Sequence, residues 1–177
     1  MKKITILVVM VAIIFNGCVK AQGKKSYTHE KFAIYLLKKE IPPRDWKKID
    51  INSIELKGKP LITLGNIVSY DKKDSVIEID KKIDIRNELC VSVHGRLCAI
   101  VVNGKVKYIG AFWIPSSSVT FDGIILMIDP GFGSHYRPNS FSLGVPVKWN
   151  SSKENNSIGK DIEIIKIFED TGKFRNR

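Results

Sequence analysis

The dipeptide Asn103-Gly104 separates two apolar runs, residues 97–102 and 105–113, and it is the strongest constraint on the fold of this chain. A type I′ hairpin turn needs positive φ at both central positions, which asparagine and glycine adopt at low cost. The segment therefore predicts an antiparallel hairpin. The predicted register pairs Val102 with Lys105, Val101 with Val106, and Ala99 with Tyr108. Because residues 97–102 are continuously apolar, we expect a central strand covered on both faces.

Other segments also have the pattern of strands. Residues 75–80 alternate polar and apolar side chains, and residues 123–128 end at a proline and a glycine that stop a strand. Residues 32–37 and 161–168 are predicted to be strands as well, the second one closing the sheet. Residues 44–49 are predicted to form a short helix after a proline pair. Together these elements predict a single α+β domain dominated by an antiparallel sheet, with an all-β domain as the alternative.

The first eighteen residues have the organisation of an export signal. Two lysines precede an apolar run, residues 4–15, which is shorter than the roughly 20 residues that a membrane-spanning helix needs. Because Cys18 follows Gly17 where the run ends, the segment resembles a bacterial lipoprotein signal, in which cleavage precedes the cysteine and acyl chains modify it. An ordinary secretory signal cleaved after Ala21 is the alternative.

The lipoprotein interpretation divides the chain into three parts. Residues 1–17 are the signal, residues 18–30 a polar tether, and residues 31–177 one globular domain. We expect the protein to be attached to a membrane of the cell envelope through an N-terminal lipid. In a Gram-negative cell this is the outer membrane, because valine and not aspartate follows the cysteine. The alternative cleavage predicts a soluble secreted or periplasmic protein.

The chain is basic, with 29 Lys and Arg against 18 Asp and Glu and a formal charge of +11. Removal of the signal with its two lysines leaves +9. This charge favours an anionic envelope partner, such as phospholipid headgroups, cell-wall polymer or acidic polysaccharide. The alternative is the lysine usage of an AT-rich genome, because the lysine pairs are spread along the chain. Nucleic acid is a poor candidate, since exported proteins rarely meet it and no recognition motif is present.

Two cysteines remain besides Cys18. In an oxidising compartment Cys90 and Cys98 could form a disulfide across a turn at His94-Gly95, although strict hairpin pairing would require a bulge for the bridge to close. Two buried thiols are the alternative. The histidines and cysteines show no metal-ligand spacing, so we expect no metal site and no cofactor.

Residues 131–146 are rich in Gly, Ser and Pro and are predicted to be a long surface loop. An aromatic ring beside an arginine could stack on a sugar or peptide and bind an acidic group. The candidate binding residues are Phe132, His135, Tyr136 and Arg137. The alternative is a solvated loop whose aromatic side chains pack on the core.

The serines at 116–118 are the candidate nucleophiles for a rival function, that of a small envelope hydrolase. A serine nucleophile needs a base, which His94 or His135 could supply only through tertiary contact, and no G-x-S-x-G motif surrounds these serines. We therefore predict no catalytic residue and expect a non-catalytic binding or accessory module.

Four segments can be compared with known sequences, namely residues 32–37, 60–63, 67–71 and 101–113, the last followed by Ser117-Ser118. Together they resemble a group of small exported bacterial lipoproteins of uncharacterised function. Only the stretch from Asn-Gly to Phe-Trp within 101–113 is specific. The resemblance covers most of residues 31–128 and implies a shared fold but no activity.

Overall fold

The computed structural model describes residues 30–89, 93–117, 119–128, 139–144 and 161–175. The strands are β1 (Phe32–Leu36), β2 (Ile62–Thr63), β3 (Ile67–Asp71), β4 (Val76–Ile79), β5 (Arg96–Val102), β6 (Lys105–Trp113), β7 (Ile124–Ile128), β8 (Ser140–Gly144) and β9 (Phe174–Arg175). The helices are α1 (Ile85–Leu89), α2 (Ile162–Asp170) and two 3₁₀ helices, Pro43–Lys48 and Leu64–Asn66. Within this part of the chain, no helix has both the length and the apolar character needed to cross a bilayer.

The described strands form one nine-stranded sheet, curled into a half-barrel, in the order β2-β1-β5-β6-β7-β8-β4-β3-β9. Neighbouring strands are antiparallel except for β6–β7 and β3–β9, which are parallel. The predicted α+β class is therefore wrong, and the all-β alternative describes the domain better. The physical reason is that the curled sheet encloses much of its own core, so that short helices complete the core without forming a separate layer.

The two faces of β5 contribute to different cores. Ile100 and Val102 face the inner core, enclosed by the curl, together with Phe168 of α2. Ala99 and Val101 face the outer core, which segment 41–56 and neighbouring side chains cover. The predicted central strand with two covered faces is confirmed.

The Asn-Gly hairpin is also confirmed, because Asn103 and Gly104 have φ values of 49° and 73°. Val102 pairs with Lys105 and Val101 with Val106, as predicted. The third predicted pair is wrong: Ala99 lies opposite Ile109, and Tyr108 opposite Ile100. A β-bulge at this point adds one residue, Lys107, to β6 and shifts the register of all later pairs.

Residues 161–168 form the start of α2, so the predicted closing strand is wrong. Asp161 is the N-cap, and its carboxylate accepts a hydrogen bond from the backbone N–H of Glu163 at 2.9 Å. Ile164, Ile167 and Phe168 lie on one buried face, whereas Ile162 is 82% exposed. Residues 161–164 alternate polar and apolar side chains as a strand would. The N-cap and the i, i+3, i+4 spacing of the buried side chains are those of a helix.

Polar contacts attach the start of α2 to the bulged part of β6. Lys107 Nζ lies 2.8 Å from Asp161 Oδ2 and 2.5 Å from Glu163 Oε2, and the Tyr108 hydroxyl donates to Asp161. Strict alternation would send Lys107 and Tyr108 to opposite faces of the sheet, and the bulge interrupts it. Burial alone would raise the pKa of Asp161, but hydrogen bonds from Lys107, Tyr108 and the capped backbone N–H groups together hold that pKa below its usual value.

Candidate functional site

A cleft of about 840 Å³ opens where β1 ends, β5 begins and β6 ends. Three buried side chains of the outer core, Leu37, Leu97 and Trp113, form its apolar floor. Its walls come from segment 38–44, from Lys57, from the turn before β5 and from Val119 and Thr120. Several distant parts of the chain therefore meet at this one end of the sheet.

The cleft is strongly basic. Among the described residues, one carboxylate lines it, that of Glu40, and five cationic side chains do, which are Lys38, Lys39, Arg44, Lys57 and Arg96. Lys38 is partly neutralised by Glu55, whose carboxylate lies 3.0 Å from its ammonium group. Low-dielectric walls around charges of one sign concentrate their potential, so this geometry attracts anions.

Arg96 is the best-positioned cation of the cleft. Its side chain is 24% exposed, and its Nη1 donates a 2.6 Å hydrogen bond to the carbonyl of Leu89, the last residue of α1. Its Nε lies 3.7 Å from Glu40 Oε1, which is beyond hydrogen-bond distance. The Nη1 side of the guanidinium is therefore hydrogen-bonded to the main chain, and the Nε side faces the Glu40 carboxylate without a hydrogen bond to it.

The floor of the cleft depends on Gly95. This residue has a φ of +74°, and a Cβ at its position would overlap two ring carbons of Trp113. The indole of Trp113 stacks on Phe121, with ring centroids 5.5 Å apart and an interplanar angle of 21°. Phe121 in turn contacts Trp46, whose Nε1 donates to Asp122 Oδ1 at 2.7 Å. This row of rings holds the 3₁₀ helix Pro43–Lys48 against the end of the sheet.

Most of the residues predicted from the sequence to form sites lie outside the described residues. They are Cys18, Cys90, Phe132, His135, Tyr136 and Arg137, so their roles remain predictions. Cys98 is buried, and burial raises the pKa of its thiol. Because Cys90 lies outside the described residues, the predicted bridge between the two cysteines remains a prediction. The predicted loop 131–146 is wrong in part, because Ser140–Gly144 forms β8. Phe141 and Leu143 are buried there between β7 and β4.

The hydrolase candidates are only partly described. His94 lines the basic cleft and is exposed. The Ser117 hydroxyl donates a hydrogen bond to the carbonyl of Val93, whereas Ser118 and His135 lie outside the described residues. In the described part of the chain, no three His, Cys, Asp or Glu side chains are grouped so that they could hold a metal ion.

The basic cleft was not predicted from the sequence, in which Lys38-Lys39 is one of several scattered lysine pairs. The curled sheet brings this pair together with Lys57 and Arg96. The available signal was weak: a lysine pair directly follows a buried strand. The comparisons with known proteins add no further signal, since no protein-family model, curated protein or solved structure matches the chain.

Proposed function

We propose that this protein is a non-catalytic binding module of the bacterial cell envelope and that its basic cleft binds an anionic envelope component. The observation that carries the proposal is the convergence of five cationic side chains around a buried apolar floor. A volume of about 840 Å³ lies within the usual range of roughly 300–1,000 Å³ for small-ligand sites. Anionic groups on lipids, cell-wall polymers and acidic polysaccharides are the ligands that such a charge distribution attracts.

The composition of the cleft suggests how the ligand is held. Lys39 and Lys57 lie on separate segments. The long, flexible side chain of each lysine can adjust to the position of an anionic group. The hydrogen bond to the Leu89 carbonyl fixes the position of the Arg96 guanidinium, which therefore offers a rigid contact for an anion. The apolar floor accepts a hydrocarbon or ring face beside the anionic group. The ligand is therefore expected to combine an anionic group with apolar surface.

Neutralising both cleft lysines, Lys39→Gln with Lys57→Gln, is expected to weaken the binding of polygalacturonate or polyphosphate at low salt by at least about tenfold. Each lost contact is a charge-assisted one, and salt should also weaken binding of the unchanged protein. The matched control is Lys81→Gln with Lys82→Gln, an exposed pair that does not line the cleft. Isothermal titration calorimetry measures the affinity of both double variants for the polyanion. Equal losses for the two pairs would mean that only the net charge matters, and would remove the cleft from the proposal.

Lipid attachment at Cys18 is part of the same proposal. It is supported by the order of two lysines, a short apolar run and a glycine-cysteine pair in residues 1–18. Each buried methylene of an acyl chain contributes about 0.8 kcal/mol, so two or three chains attach a protein stably to a membrane. Such an anchor would keep the cleft beside the anionic groups of the envelope.

Changing Cys18→Ser is expected to move the protein from the membrane fraction to the soluble fraction. Intact mass spectrometry of the protein from its native cell should show acyl chains on Cys18 in the unchanged protein and none in the variant. An unmodified chain that begins at Gln22 would contradict the anchor and indicate a freely secreted protein.

A further inference from the structure

We propose that the anion bound in the basic cleft is a carboxylate that displaces Glu40 from Arg96, so that Glu40 is a built-in competitor of the ligand. This inference rests on the proposed function of the cleft. It goes further by naming the group that is recognised, the residue that recognises it and the contact that must break.

Arg96 turns its Nε edge toward the cleft. A guanidinium presents two parallel N–H donors along its Nε–Nη2 edge, which match two oxygens of a carboxylate or of a phosphate. The group that already faces this edge is the carboxylate of Glu40, and this favours a carboxylate as the ligand group. Nη1 is already used, because it donates to the Leu89 carbonyl at 2.6 Å. The Nε side faces the cleft and Glu40, with 3.7 Å between Nε and Oε1. The edge suited to a carboxylate is therefore the one turned toward the ligand.

Glu40 holds this position beside Arg96 only weakly. Its side chain is 84% exposed, and its separation from Arg96 exceeds hydrogen-bond distance. A contact of this length contributes little, because the Glu40 side chain is solvated and would lose freedom if it were held against Arg96. A ligand carboxylate that forms two short hydrogen bonds to Arg96 would replace Glu40 at small cost.

Glu40 lines both the basic cleft and an adjoining groove of about 580 Å³. Among the described residues that line this groove, the carboxylates of Glu40, Asp45, Asp50 and Glu55 outnumber the ammonium groups of Lys39 and Lys48. The excess of negative charge makes the groove less favourable for an anion than the basic cleft. Beside Arg96, Leu97 and Trp113 provide the apolar floor. The recognised group is thus a carboxylate with apolar atoms next to it.

The test uses hexanoate, a carboxylate with an apolar chain, and inorganic phosphate as probes, with the full-length protein followed by NMR titration. Glu40→Gln is expected to strengthen hexanoate binding by about three- to fivefold, the size of effect expected from removing a weak competing ion pair. Glu169→Gln on α2 is the matched control, since it removes the same charge from an exposed position that does not line the cleft. It should change the affinity much less.

The competition itself is tested by combining Glu40→Gln with Arg96→Lys. The lysine keeps the charge but removes the paired donors, so Arg96→Lys alone should weaken hexanoate binding by about tenfold and phosphate binding less. In that background Glu40→Gln should bring no further gain, because the two residues act on one contact. Glu40→Gln changes an exposed side chain and is expected to leave the fold intact, so its result can be interpreted even if Arg96→Lys folds poorly.

Three results would overturn the inference. They are an equal effect of Glu40→Gln and Glu169→Gln, a gain from Glu40→Gln that persists with Arg96→Lys, and a larger effect of Arg96→Lys on phosphate than on hexanoate. If any of these occurs while the Lys39 and Lys57 variant still loses affinity for the polyanions, the cleft remains the binding site. The proposed function fails separately, when the cleft lysines and the control lysines behave alike.

Discussion

Replacing Phe168 with alanine is expected to lower the free energy of unfolding by about 3–5 kcal/mol. Phe168 is fully buried, and its ring centroid lies 5.2 Å from that of Phe32 and 5.1 Å from that of Tyr70. Phe32 belongs to β1 and Tyr70 to β3, the second and eighth strands in the order of the sheet. The ring therefore joins two distant parts of the curled sheet, and the cavity left by alanine could close only if those parts moved together.

The control for this prediction is Ile162→Ala on the same helix. Ile162 is 82% exposed, so its substitution should change the free energy of unfolding by less than about 0.5 kcal/mol. Ile164→Ala should destabilise the protein by about 2–4 kcal/mol, because Ile164 is buried. Urea unfolding followed by circular dichroism measures all three variants. In a strand, Ile162 and Ile164 would share one face, so equal effects at these two positions would contradict the helix.

Replacing Gly95 with alanine is expected to cost about 2–5 kcal/mol of stability, for two reasons that add. A φ of +74° costs a residue with a Cβ roughly 1–2 kcal/mol. The new methyl group would also overlap the ring of Trp113, and inserting a carbon into a packed site costs about 1–3 kcal/mol. Trp113 is only 4% exposed and stacks on Phe121, so the ring cannot move away without disturbing the floor of the cleft.

Gly172→Ala separates these two contributions. Gly172 has a similar φ of +68°, but no atom lies within 4 Å of the position of a new Cβ. Its substitution should therefore cost only the backbone contribution of about 1–2 kcal/mol. The difference between the two variants in thermal or urea unfolding measures the contact with Trp113. Equal destabilisation would show that the indole does not lie against Gly95. Weakened polygalacturonate binding by Gly95→Ala alone would connect the contact to the cleft.

The Asn-Gly hairpin and the register of the strands beyond it depend on causes of different range. The hairpin was predictable because positive φ at Asn103 and Gly104 depends on those two residues alone. The register beyond the turn was not, because the bulge at Lys107 accompanies contacts to Asp161 and Glu163, more than 50 residues away in the chain. Segment 161–168 was misassigned for a related reason: its short apolar pattern fits both periods, and burial against Phe32 and Tyr70 selects the helix.

The amino-acid sequence by itself determined the hairpin, the strand with two covered faces, the basic charge and the pattern of an export signal, because each depends on neighbouring residues or on composition. Only the tertiary structure decided the all-β class, the helix at 162–170 and the basic cleft. Lys39, Lys57 and Arg96 are separated by 18 and 39 positions in the chain. They meet because β1 and β5 pair side by side and the sheet curls, and no local pattern encodes that long-range pairing.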